Sequence, residues 1–128
     1  MIDRQVLITG RRSIYRFIVR SVPDPFLERL DCPDPSGLAP KRSTTLTAIQ
    51  ALTLLNNPFM VRMAEHFAER LEKENSELPA QITAASQLMF GRAPTAGERK
   101  EYETYAGRYG LANLCRLLFN TNEFLFVD

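Results

Sequence analysis

From Thr44 to Pro58 the chain reads Thr-Thr-Leu-Thr-Ala-Ile-Gln-Ala-Leu-Thr-Leu-Leu-Asn-Asn-Pro, with apolar residues on nearly every side of the helix predicted over about 47–56. Its polar residues Thr47, Gln50, Thr53 and Asn56 fall three apart and spiral around the axis instead of forming one wet face. A helix apolar almost all round belongs inside a fold. A buried Gln50 then needs hydrogen-bond partners, because an unpaired buried amide costs about 1–3 kcal/mol. Thr47 is the expected N-cap. Asn57 is placed to cap the next helix, whose first turn accepts Pro58 because no N–H is needed there.

That next helix, about 58–75, is plainly amphipathic. Met60, Met63, Ala64, Phe67, Ala68 and Leu71 form its apolar stripe, while Arg62, Glu65, Glu69, Arg70 and Lys73 face water. Asn75-Ser76-Glu77 ends it. Pro79 opens a third helix to about Phe90, with Ile82, Ala85, Leu88 and Met89 inward and Gly91 as its stop. Thr95-Ala96-Gly97-Glu98 has capping-box spacing and starts a fourth, through Tyr102 and Tyr105 to about Gly107. A fifth, about 111–120, turns Leu111, Leu114, Cys115, Leu118 and Phe119 inward. Asn122–Asp128 is an apolar tail expected to pack as a last turn or a short extended piece.

The pattern before Thr44 is less regular. Residues 1–10 read as a lead-in, with Val6-Leu7-Ile8 able to form a short strand or dock on the core. Over 11–20 a helix gathers Arg12, Arg16 and Arg20 on one stripe and Ile14, Phe17 and Ile18 on another, whereas a strand mixes arginine with isoleucine on one face. The periodicity favours helix; the β-branched and aromatic content pulls toward strand. Residues 21–44 carry Pro23, Pro25, Pro33, Pro35 and Pro40, which stiffen the segment into extended and turn backbone. Such a segment reads as a strap anchored by Phe26, Leu27 and Leu30. The expected fold is therefore mainly α: a compact bundle of about five helices with a long proline-rich loop, in a single domain. Its parts are a lead-in (1–10), a basic segment and strap (11–44) and a helical core (45–128).

Composition adds limits more than direction. Hydrophobic residues at 45% and charged residues at 24% suit an ordinary globular protein. A net charge of +1 gives no warrant for nucleic acid. The balance is uneven, with eight Lys/Arg against five Asp/Glu in 1–45 and eight against ten in 46–128, a mild asymmetry that a solvated surface explains. No apolar run approaches a membrane span, and the N-terminal apolar core is too short for a secretory signal. Cys32 and Cys115 fit no CxxC or CxxCH spacing and are expected as free, partly buried thiols.

Catalytic chemistry finds no foothold in this pattern. There is no nucleophile elbow, no recognisable Ser-His-Asp set and no phosphate-cradling glycine loop, so the chain reads as non-catalytic and without cofactor. His66, the single histidine, lies near Met60 and Met63 but falls toward the wet face, which suits a solvated residue better than a metal ligand. Asp24, Asp31 and Asp34 are oxygen donors beside prolines and fit turns better than a calcium loop. Tyr102, Tyr105 and Tyr109 are spaced for packing, with carbohydrate stacking as the alternative. Arg11, Arg12, Asp31, Lys41 and Arg42 flank the strap and are the candidate ligand residues: an anion or sugar-acid site, or a salt-bridge network pinning the strap.

Several stretches together carry a family likeness. They are Arg11–Tyr15, Val22–Phe26, Asp31–Asp34, Thr45–Pro58, Phe90–Thr95 and Asn122–Asp128. In that order they resemble the C-terminal part of planctomycete-specific domain 1, a domain of unknown function in large proteins of planctomycetes and related bacteria, some with a cytochrome-c-like module. The likeness covers about residues 11–128. Two departures are that Ala48 stands where such domains often have proline, and Cys32 where a small residue is common. The resemblance implies an exported or envelope-associated parent protein of which this chain is the final portion, and it brings no catalytic residues. The expected role is a structural or interaction module whose partner is an upstream domain of the parent or a second copy. The alternative is a carbohydrate- or anion-binding domain, hydrolase-associated, in polysaccharide use.

Overall fold

The computed structural model describes residues 25–30 and 47–126. The expectations for 1–24 and 31–46, including the short strand, the helix-or-strand segment and most of the strap, lie outside the described residues. The chain divides into two compact units, residues 1–45 and 46–128.

In the first unit, Pro25–Arg29 form helix α1. The sequence predicts extended and turn backbone here. Pro25 instead starts a turn of helix, since proline at a first helical position has its φ preset and lacks only an N–H that would be orphaned anyway. The Leu30 N–H donates to the Leu27 carbonyl at 3.1 Å, closing the turn, and Phe26 and Leu27 are half-buried.

The second unit is built from α2 (Ala48–Asn56), α3 (Pro58–Glu74), α4 (Leu78–Phe90), α5 (Ala96–Tyr109), α6 (Leu111–Leu118) and α7 (Asn122–Leu125). No strand occurs among the described residues, so the mainly α reading holds. The additions to the five expected helices are the short α1 and α7. The pair α3 and α6 forms the spine, with α5 packed on α6, α4 on both α3 and α5, α2 on α3 and α7 on α4. Ala64, Ala68 and Leu71 of α3 meet Ile82 and Ala85 of α4, Ala106 of α5, and Leu111, Leu114, Cys115 and Leu118 of α6 in one buried cluster. Alanines at these positions shorten the distance between helix axes and let the leucines interlock.

Helix ends follow local chemistry. The Gln50 N–H donates to Thr47 Oγ1 at 3.3 Å, and the Thr47 N–H donates back to Gln50 Oε1 at 3.1 Å. Asn57 Oδ1 accepts from the Phe59 N–H at 2.9 Å, with Pro58 in the first turn of α3. Gly91 closes α4 at φ 71°, a left-handed conformation that glycine adopts without Cβ strain. The α3–α4 turn is pinned by Gln81, whose Nε2 donates to the Asn75 carbonyl at 2.9 Å.

Three details depart from the sequence reading. Leu88 is exposed, although its spacing places it inward. Helix α5 runs past Gly107 to Tyr109, because one helical glycine costs only about 1 kcal/mol against alanine and does not break a packed helix. Gly110 makes the break, at φ 91°. The third departure is α2, whose all-round apolar pattern places it inside the fold but which leaves Ala48, Ile49, Leu52 and Asn56 exposed.

Candidate functional site

Helix α2 is turned with polar groups inward. Gln50 and Thr53 are buried beside Leu54, while Ile49 and Leu52 are 65% and 59% exposed. The cause lies in its own hydrogen bonds. The Gln50 amide oxygen is engaged in the capping box, and the Thr53 hydroxyl donates to the Ile49 carbonyl at 2.8 Å. Both side chains thus enter the interior with polar atoms satisfied. At the other end, Arg116 of α6 reaches back to α2. Its Nε donates to the Leu55 backbone carbonyl, one of those a helix C-terminus leaves unpaired, and its Nη2 donates to the side-chain Oδ1 of Asn56 at 2.7 Å. Ile49 and Leu52, three apart, stand on one face of a helix that carries no ionisable side chain.

A second arrangement is ionic. The Arg92 guanidinium, in the loop after α4, is held by two carboxylates at once. Its Nη1 and Nη2 donate to Glu98 Oε2 and Oε1, both at 2.9 Å. Its Nε and Nη2 donate to Glu123 Oε1 and Oε2 at 2.7 and 2.8 Å. Glu98 is also the capping-box residue of α5, accepting from the Thr95 N–H at 2.8 Å. Hydrogen bonding from Arg92, then from Thr95, lowers the Glu98 carboxyl to about 2. The Arg92 bonds likewise lower Glu123, and both carboxylates hold the guanidinium above its ordinary range. With two forks on one planar cation, this is a structural staple joining the loop, α5 and α7.

The ligand candidates Arg11, Arg12, Asp31, Lys41 and Arg42 lie outside the described residues, as do Asp24, Asp34 and Cys32. His66 is exposed on α3, 3.7 Å from Glu69, and Met60 and Met63 are half-buried on the stripe. Tyr105 and Tyr109 stack at 4.8 Å between ring centroids and 46° between planes, so they present no flat platform. Burial, then Glu98, raises the Tyr102 phenol. Cys115 is a free thiol in the core, fully buried where partial burial is expected, and desolvation pushes it up to about 12. Among the described residues no group of three or more His, Cys, Asp or Glu side chains is placed to hold a metal ion. No described helix is long and apolar enough to cross a membrane.

Sequence reasoning did not find the Arg92 staple or the Arg116 clip. Glu98 was legible as a cap, and Arg92 and Glu123 both lie in stretches that carry the family likeness. Their pairing across 31 residues has no local signal.

No curated protein and no solved structure matches the chain. The family model of PSD1, a protein of unknown function (DUF1553), matches residues 3–106. It begins earlier than the stretches that first suggested the likeness and ends within α5, so α6, α7 and the terminal stretch around Glu123 lie beyond it. Spanning most of the sequence, it shows that the chain belongs to the PSD1 (DUF1553) family of proteins of unknown function.

Proposed function

We propose that the chain is a non-catalytic interaction module of a larger bacterial envelope protein, and that the exposed face of α2 is its docking surface. The observation that carries this reading is the outward pair Ile49 and Leu52 on a helix whose Gln50 and Thr53 side chains are buried and bonded within it. Turning the helix over would hide the leucine and isoleucine, so the arrangement is supported by a cover that comes from elsewhere.

The partner is an upstream domain of the same parent polypeptide. A stable interface between free molecules buries about 800 Å² on each side, far more than two aliphatic side chains provide. A tethered partner needs less, because the linker raises its effective concentration to the millimolar range. The neutrality of α2 suits an apolar cover better than a charged ligand.

The test is calorimetric titration of the purified chain with the separately expressed upstream portion of its parent, carried to millimolar concentration to make up for the lost tether, using wild type, Leu52→Glu and Ile49→Glu. The reading expects binding in wild type and at least a tenfold loss in both variants, whose melting is unchanged. Equal binding by all three removes α2 from the interface. Dimerisation of wild type in sedimentation, abolished by either substitution, replaces the tethered partner with a second copy.

A further inference from the structure

Helix α7 buries none of its residues, yet it is held in place. Its ties are few and specific. Glu123 grips Arg92 through two hydrogen bonds at 2.7 and 2.8 Å, and Phe124 stacks on Phe119 with centroids 5.2 Å apart. Within the helix, the Leu125 N–H donates to the Thr121 carbonyl at 3.1 Å and the Phe126 N–H to the Asn122 carbonyl at 2.9 Å.

We infer that α7 is a releasable latch, with Arg92 as its catch, that opens while the bundle beneath stays folded. The double fork on Arg92 makes this feasible. When Glu123 leaves, Arg92 keeps both bonds to Glu98 and its bond to the Ala93 carbonyl at 3.3 Å, so no buried charge is orphaned. Glu98 keeps its bonds to Thr95, so the start of α5 does not depend on Glu123. Opening withdraws Phe124 from Phe119, which remains stacked on Phe67 at 5.7 Å and presents its other side. The buried cluster from Ala64 to Leu118 includes no residue of α7 and loses no member. Elements tied by few contacts sit at the low end of a protein's local stabilities.

Native-state amide hydrogen exchange on the full chain tests this. In wild type the Leu125 and Phe126 amides exchange faster than those of Leu114 and Leu118, which report the core. Glu123→Gln keeps the shape but removes the charge, and is expected to speed the two α7 amides by about two- to fivefold while α6 is unchanged, the size set by one well-formed bidentate ion pair. Arg92→Lys, which cannot make two planar forks, is expected to act in the same direction. Unchanged α7 exchange in both variants would remove Arg92 as the catch. Exchange of α7 and α6 in unison, slowed or quickened together, would show that α7 opens only with global unfolding and overturn the latch.

Discussion

Gly107 lies inside α5 with open space where a Cβ would stand, whereas Gly110, three residues on, holds φ 91° between α5 and α6. The two positions therefore answer the same substitution with opposite signs. Gly107→Ala is expected to stabilise the chain by about 0.5–1 kcal/mol, through helix propensity and a less flexible unfolded state. Gly110→Ala is expected to destabilise it by a larger amount, since alanine resists positive φ. Urea unfolding followed by circular dichroism reads both. The sequence alone places the end of the helix near Gly107 and gives Gly110 no role. A glycine's identity advertises a stop, while its φ, set by the packing of α5 and α6 on one another, decides whether it is one.

At the scale of elements, what could be read from the sequence was chemistry within one helical turn. Thr47 as a cap, Asn57 with Pro58, Gly91 as a stop, and Thr95 with Glu98 are single residues or pairs whose meaning depends on neighbours within about one turn. The stripes of α3 and α6 were legible for the same reason. The Arg92–Glu123 and Arg116–Asn56 ties were not, because they join residues 31 and 60 positions apart. The orientation of α2 was hidden for another reason: a helix apolar on every side carries no arrow. The staple on Arg92 makes a pH prediction. Glu98 has a folded pKa lowered to about 2, so the stabilisation it brings to α5 is present above the ordinary carboxylate range and is lost as pH falls through about 2. Arg92→Gln removes the first cause of that shift. Titrating the Glu98 side-chain carboxyl by NMR is expected to show its midpoint moving up toward the ordinary value, with Thr95 holding back part of the change. A midpoint that stays put in the variant would assign the depression to the Thr95 cap alone.

For the whole molecule, the decisive contrast is between leucines that look alike in composition and sit in opposite environments. Leu114 is fully buried at the α3–α6 spine and Leu52 is mostly exposed on α2. Truncating Leu114 to alanine removes apolar atoms from close packing and leaves a cavity, so Leu114→Ala is expected to cost about 2–5 kcal/mol in urea unfolding. Leu52→Ala in the same chain is expected to change stability by less than about 0.5 kcal/mol, as for surface substitutions away from special features. Helix propensity favours alanine slightly over leucine in either helix and does not separate the two. The comparison therefore isolates burial. If Leu52→Ala is silent in the isolated chain yet weakens the titration with the upstream portion of the parent, that side chain acts in association and not in folding. A stability loss at Leu52 approaching that at Leu114 would put it in the chain's own core and remove the surface on which the interaction reading rests.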